Sequence, residues 1–135
     1  KRWDAMSGGE CPGADAAKDR AKLELSARRV MDTIESMSEI FLPRDRLLNS
    51  AGTVPVYYWF VRSLPARQHS KVRPFLNSFE EARKANRQSA AKGPSGANID
   101  ADMTAYDNLN RSTNDDSSHT GRFEILTRQF SAFKP

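Results

Sequence analysis

Apolar residues recur at alternating intervals of four and three positions between residues 14 and 41, and this spacing predicts an amphipathic helix. The positions share one helical face: Leu23, Ala27, Val30, Ile34, Met37 and Phe41. Pro43 is expected to stop this helix. Asp32 and Glu35 have no lysine at a supporting interval, so we expect burial of the apolar face to supply the stability.

Three more stretches carry a helical stripe, separated by polar connectors. The first reaches about Ser89, with Pro74 in its first turn and the polar residues 67–71 before it. Its stripe is Val72, Phe75, Leu76, Phe79, Ala82 and Ala85. The second stripe is Ile99, Met103, Tyr106 and Leu109, and the third is Phe123, Leu126, Phe130 and Phe133.

The run VPVYYWFVR, which begins at Val54, is apolar on all sides, so its periodicity does not separate a strand from a buried helix. Its valine, tyrosine and tryptophan content favours a strand. A lone strand is unstable, and the sequence offers no second strand nearby to pair with it. We therefore predict a buried central helix.

Together these patterns predict an all-α fold of about five helices packed around the apolar central helix Val54–Val61 in a single domain. Residues 1–13 are expected to form a flexible segment before a helical domain that spans residues 14–135. Glycine and proline within AAKGPSGAN predict a mobile loop at residues 90–98.

The chain's 135 residues suit one domain, and its single cysteine, Cys11, excludes an internal disulfide. Cysteine usage therefore favours a cytoplasmic location. No apolar run approaches the roughly 18 residues of a membrane span, so we expect no membrane partner. Because the sequence starts at Lys1 without a methionine, we expect it to be a piece of a longer protein.

The net charge of +4 is unevenly distributed along the chain. Between Val61 and Lys92, eight basic residues face only Glu80 and Glu81. Such a segment predicts contact with nucleic-acid phosphates or another partner, although a solvated helix face has the same composition. The predicted contact residues are Arg67, Lys71, Arg73, Arg83, Lys84, Arg87, Lys92 and, further on, Arg111.

No catalytic, cofactor or metal site is predicted. Asp100 and Asp102 resemble a two-carboxylate metal motif, but they are favoured as acids at a helix start, with Asn98 as the cap. His69 and His119 are the only histidines, and each lies in a polar stretch. The chain has no phosphate-binding loop, dinucleotide fingerprint or serine-nucleophile motif. A small metal-dependent hydrolase using Asp100, Asp102 and His119 is the least favoured reading.

Residues 109–126, LNRSTNDDSSHTGRFEIL, contain ten small or polar residues, Ser112 to Gly121, between two apolar patches, and this run is predicted to cap the last helix. The capping oxygens are assigned to Thr113, Asn114, Asp115, Ser117 and Ser118, and the helix is placed about Gly121 or just after it. Arg111 and Arg122 remain as partner contacts.

Several segments resemble a known family: LLNSAGTVPVYYWFVRSL, VRPFLNSFEEARKANR, LNRSTND-x-x-S and the closing GRFEIL. They resemble the helical part of the GmrSD-like family, and the resemblance covers most of residues 20–130. Those bacterial proteins have a ParB/sulfiredoxin-like N-terminal domain and are linked to restriction of modified or phage DNA. The resemblance implies a helical region that supports, docks or binds DNA. The family's N-terminal motifs and histidine-rich nuclease motif do not occur here, so the resemblance assigns no catalytic residue.

The leading hypothesis is therefore a non-catalytic helical module of a bacterial DNA-targeting defence protein, whose parent has nuclease or nucleotide hydrolase activity. Its basic segment would contact DNA or a neighbouring domain of the same chain. The alternative is a helical protein–protein interaction or oligomerisation domain without a nucleic-acid role.

Overall fold

The computed structural model describes residues 12–93, 98–111 and 115–134, and within them the chain is helical without a strand. This confirms the predicted all-α fold. The five α-helices are α1 (Pro12–Ile40), α2 (Val54–Ser63), α3 (Val72–Ala91), α4 (Ala101–Leu109) and α5 (Asp116–Ala132). Two short 3₁₀ helices, Arg46–Leu48 and Ala66–Lys71, precede α2 and α3.

The chain divides into two compact units, Lys1–Glu35 and Ser36–Pro135. In the described part of the first unit, the one element is α1, which begins two residues before the predicted start at Ala14. Its apolar stripe is helical as predicted, but Leu23 is 71% exposed and Ile34 is 50% exposed. The expectation that burial stabilises this helix is therefore wrong for the first unit.

Helix α2 supplies the centre of the second unit's core, which confirms a helix rather than a strand at residues 54–61. Val56, Tyr57, Phe60 and Val61 are buried, and α2 packs against α5. Pro55 stands at the start of the helix, where its missing N–H breaks no helical hydrogen bond. Burial is not complete around the helix, because Trp59 is 52% exposed.

Aromatic rings join the helices of this core. The Phe60 ring lies 5.7 Å from the Phe75 ring and 5.3 Å from the Phe130 ring, measured between centroids. Phe79 and Tyr106 are 5.0 Å apart in an edge-to-face arrangement that joins α3 to α4. The predicted stripes of the last three helices therefore face one shared core.

Several predicted boundaries differ from the structure. The polar connector before α3 is a 3₁₀ helix, and α3 continues to Ala91, inside the predicted loop. Residues 94–97 of that loop and residues 1–11 of the predicted flexible segment lie outside the described residues. Ile99 precedes α4 and is 50% exposed, so it is not part of that stripe. On α3, Ala82 and Ala85 are exposed, and the buried position is Asn86.

The predicted start of α5, near Gly121, is too late. The helix begins at Asp116, and Gly121 lies inside it. A Cβ atom at this position would lie 2.6 Å from Leu109 Cδ1, so a larger residue would require the Leu109 side chain at the end of α4 to shift. This glycine therefore marks a close helix contact rather than a helix end.

Candidate anion-binding cavity

A tight turn at Leu42–Asp45 follows α1. The Asp45 N–H donates to the Leu42 carbonyl oxygen at 3.1 Å, and the Leu42 N–H donates to Asp45 Oδ2 at 2.8 Å. Between them Arg44 has a φ of 57°. This left-handed conformation favours glycine, and for arginine it costs about 1 kcal/mol. Arg44 thus occupies a position whose backbone conformation is more favourable for glycine.

Asp45 fixes this turn through several contacts. Its Oδ1 accepts the Leu47 N–H at 3.1 Å and so caps the 3₁₀ helix Arg46–Leu48. Its Oδ2 forms an ion pair with Arg73 on α3, and Arg73 also donates to the Ile40 carbonyl oxygen at 3.2 Å. The turn is therefore attached to both α3 and the end of α1.

The ionised form of Asp45 is stabilised by these partners. Burial alone would raise the pKa of its carboxyl group. The hydrogen bond from Arg73 and those from the Leu42 and Leu47 amides outweigh burial, so the pKa lies below its ordinary value of 3.8. Asp45 therefore stays charged and holds Arg73 at neutral pH.

An open cavity of about 740 Å³ lies between residues 42–49 and the face of α3 that runs from Arg73 to Lys84. Its cations are Arg44, Arg46, Arg73 and Lys84, and its carboxylates are Asp45, Glu80 and Glu81. Arg73 is paired with Asp45, and Glu80 is paired with Arg83.

Three of the cations that line the cavity are not paired with a carboxylate. Arg44, Arg46 and Lys84 are exposed and form no ion pair with any described residue, and Glu81 is the one unpaired carboxylate among the residues that line the cavity. A concave surface with two arginines and a lysine suits an anion with several oxygens, such as a phosphate group.

Two of the predicted contact arginines on α3 are engaged inside the protein. Arg83 donates to Asp107 of α4 at 2.7 Å and to Glu80 at 2.6 Å, and its guanidinium lies 4.7 Å from the Tyr106 ring centroid. Arg87 also donates to Asp107, at 3.2 Å. Both arginines hold α3 against α4.

Arg83 is strongly held in its charged form. Burial would lower its pKa, but the charge of Glu80 and the hydrogen bond to Asp107 outweigh burial and raise it. Its side chain is only 11% exposed. Arg83 is therefore a poor candidate for direct contact with phosphate.

The structure brings only two predicted contact residues, Arg73 and Lys84, to the cavity. Lys71 lines a separate cavity of about 210 Å³ beside Thr127 and Phe133. The other predicted cations are exposed at separate positions along the chain: Arg67, Lys92 and Arg111. The cavity thus contains two of the predicted contact residues, and the remaining predicted contacts stay a prediction.

The carboxylates considered for metal binding have structural partners. Asp100, rather than the predicted Asn98, caps α4 by accepting the Asp102 and Met103 N–H groups at 2.8 and 3.2 Å. Hydrogen bonds from Arg128 and Gln129 lower the pKa of Asp102. Among the described residues, no group of three histidine, cysteine or acidic side chains is arranged to hold a metal.

In the polar run before α5, Asp115 is the cap, as predicted, with its side chain accepting the Ser117 N–H. Thr113 and Asn114 lie outside the described residues. Ser117 and Ser118 lie inside the helix, so the prediction that they precede it is wrong.

Arg122, predicted to touch a partner, is fully buried in the second unit. Its Nη1 donates to Asn110 Oδ1 at 2.8 Å, and its Nε donates to the Ser118 carbonyl oxygen at 3.4 Å. Its Nη2 has no hydrogen-bond partner. The residue therefore joins α4 to α5 from the inside and is unavailable for surface contact.

Sequence reasoning missed Arg44 and Arg46, because their charges are balanced by acids elsewhere in the first sixty residues. Pro43 was read only as a helix stop, although a proline also suits the second position of a tight turn. The position of Pro43 is therefore the one feature of the sequence that could have predicted the turn that contains Arg44.

None of the described helices is long and apolar enough to cross a membrane. Comparison of the chain with models of protein families, with curated proteins and with solved structures found no match.

Proposed function

We propose that this chain is a helical binding module that contacts nucleic-acid phosphates through the cavity between residues 42–49 and α3. The observation that carries the proposal is the set of three exposed cations around that cavity, Arg44, Arg46 and Lys84. One of them, Arg44, occupies a left-handed backbone position that glycine would fill at lower energy.

Phosphate contact gives a physical reason for that arginine. Strained backbone conformations persist where the surroundings fix them, and they cluster at functional sites. Here Asp45 and Arg73 fix the turn, so the backbone that carries Arg44 is positioned beside the cavity.

The test is fluorescence anisotropy with a short labelled DNA duplex at several salt concentrations. The variant Arg44→Asn/Arg46→Ala/Lys84→Ala removes the three cations, and asparagine tolerates the left-handed backbone. We expect weaker binding. We also expect the slope of log K against log salt to become shallower by about 0.9 for each phosphate contact removed.

The matched control is Arg67→Ala/Lys71→Ala/Arg111→Ala, which removes three exposed cations from outside the cavity. The control should retain affinity. If it loses binding while the cavity variant does not, the DNA contact lies outside the cavity. Absence of DNA binding, or binding that salt does not weaken, would refute the nucleic-acid proposal itself.

We further propose, from the sequence resemblance, that the module belongs to a bacterial DNA-targeting defence protein and that its chemistry resides in another part of the parent. A parent sequence with an aspartate-glycine-glutamine-glutamine-arginine motif upstream would support this assignment. A parent without a ParB/sulfiredoxin-like domain would contradict it. The expectation that this chain itself is non-catalytic stays a prediction.

A further inference from the structure

An exposed indole on the central helix of the second unit borders a cavity that the proposed phosphate contact does not use. Trp59 of α2 is 52% exposed, although the next residue, Phe60, is fully buried. The cavity, here called the Trp59 cavity, has a volume of about 380 Å³, within the range of roughly 300–1,000 Å³ for small-molecule sites. It is lined by Trp59 and by four of the first eight residues of α5: Asp116, His119, Thr120 and Phe123.

Neighbouring side chains restrict the indole ring of Trp59. The Tyr58 ring packs edge-to-face against it, with 5.6 Å between the centroids, and the Arg62 guanidinium lies 5.0 Å from the indole centroid. Arg62 does not line the Trp59 cavity, so the part of the ring that faces the cavity is left open for a ligand. Proteins stack the bases of single-stranded nucleic acids on exposed aromatic rings of this kind, often with an arginine beside the ring.

The charges around the Trp59 cavity favour a neutral planar ligand. No lysine or arginine is among the described residues that line it, so it offers a phosphate group no counter-charge. An organic cation is disfavoured as well, because the positive end of the α5 dipole lies at Asp116 and Arg62 lies beside the indole. A neutral nucleobase avoids both penalties and matches the aromatic walls, Trp59 and Phe123.

Asp116 indicates which edge of a base the Trp59 cavity accepts. Its side chain is exposed and forms no ion pair or hydrogen bond with any described residue. An ionised carboxylate only accepts hydrogen bonds, so it pairs with an N–H group of the ligand. The exocyclic amines of adenine and cytosine supply such a group at the edge of the ring.

We propose that the Trp59 cavity binds one unpaired nucleobase that carries an exocyclic amine, with the base stacked on Trp59 and its amine donating to Asp116. The base has to be unpaired, because the bases of a duplex are stacked on their neighbours and must leave the stack to enter a pocket. This site rests on the proposed nucleic-acid function for the identity of its ligand, but it shares no residue with the cavity between residues 42–49 and α3. The two contacts can therefore be tested separately.

The fluorescence of Trp59 tests base binding in the absence of any phosphate group. In a chain with Trp3→Phe, Trp59 is the one remaining tryptophan. Adenosine should quench its fluorescence saturably and should bind at least about threefold more tightly than purine riboside, which lacks only the exocyclic amine. Quenching that does not saturate, or equal affinity for the two nucleosides, would overturn the proposal.

Substitution of the carboxylate tests the assigned acceptor in the same assay. Asp116→Ala should abolish the preference for adenosine over purine riboside, since the amine loses its acceptor. The matched control is Glu124→Ala, which removes an exposed carboxylate of the same helix from outside the Trp59 cavity and should keep the preference. A preference that survives Asp116→Ala, or that Glu124→Ala also abolishes, would overturn the proposal.

Fluorescence anisotropy with a labelled single-stranded oligodeoxyadenylate tests stacking on the indole. Trp59→Leu should weaken binding at least about fivefold through the loss of one stacked base, while affinity for duplex DNA stays unchanged. The matched control, Val54→Ala, shortens another exposed side chain of α2 outside the Trp59 cavity and should bind as the wild type does. Circular dichroism checks that both variants keep their helices, and equal losses in the two would overturn the proposal.

The nucleoside and duplex assays also distinguish failure of this site from failure of the proposed function. Salt-dependent duplex binding without adenosine binding would overturn the Trp59 site alone. Adenosine binding without binding of either the oligonucleotide or the duplex would refute the proposed nucleic-acid function and leave a nucleoside site.

Discussion

Helix α1 between Leu23 and Ile34 and helix α2 between Val56 and Val61 are both apolar segments, yet their environments are opposite. Most apolar residues of α2 are buried in the core of the second unit, with Trp59 as the exception. Those of α1 in the first unit are exposed. The difference shows that periodicity identifies which residues share an apolar face. Whether that face is buried depends on neighbouring elements, which the sequence of one helix does not specify.

The contrast between the buried and the exposed apolar residues is tested most directly by the same substitution, leucine to alanine, in each unit. Leu76 is fully buried, so Leu76→Ala should lower the free energy of unfolding by about 2–5 kcal/mol. Leu23→Ala should change it by less than about 0.5 kcal/mol, because Leu23 is exposed. Urea denaturation measures both, and equal losses would show that the Leu23 face is covered within one chain.

A smaller effect is expected at the ion pair that fixes the turn in the second unit. Asp45→Asn should cost about 2 kcal/mol at neutral pH, because charge-assisted hydrogen bonds to Arg73 and two amides are weakened. Thermal unfolding at neutral pH measures this loss.

The same variant also separates the acid sensitivity of Asp45 from that of the other carboxylates. The folded-state pKa of Asp45 lies below 3.8, so its contribution is complete above that value and is lost as the pH falls through the folded-state pKa. The stability difference between wild type and Asp45→Asn should therefore shrink below pH 3.8. A difference that stays constant into acid would contradict the assigned ion pair.

The smallest expected effect has the opposite sign and lies at the cavity. Arg44→Gly should raise the free energy of unfolding by up to about 1 kcal/mol, because glycine adopts the left-handed backbone without a steric penalty. Arg46→Gly, in the neighbouring 3₁₀ helix, should instead lower stability slightly. A destabilised Arg44→Gly variant would show that the arginine side chain contributes more to the fold than its backbone costs.

The sequence predicts helices well wherever burial follows a period. The stripes Phe75–Phe79 and Met103–Tyr106 are buried as expected, because local spacing alone decides which side chains share a face. The cap at Asp115 was also predictable, since an acid before a helix accepts backbone N–H groups that have no helical partner.

The candidate site was not predictable in the same way. Arg83 is neutralised by Asp107, which lies 24 residues further along the chain, and Arg73 is neutralised by Asp45, 28 residues earlier. A count of charges along the sequence therefore overstates the exposed charge of the basic segment. The burial of the polar residue Asn86 also depends on a tertiary contact, because its side chain accepts the Asp100 N–H at 2.7 Å.

Buried Arg122 has a consequence for the uniqueness of the fold. The guanidinium lies fully inside the second unit, where a polar group without a hydrogen-bond partner is costly. A competing packing of α4 on α5 that separates Arg122 from Asn110 would leave an interior charge with fewer donors satisfied. We expect Arg122 to act mainly by excluding such packings. Helices α4 and α5 would then adopt one relative arrangement, even where apolar contacts alone would allow several.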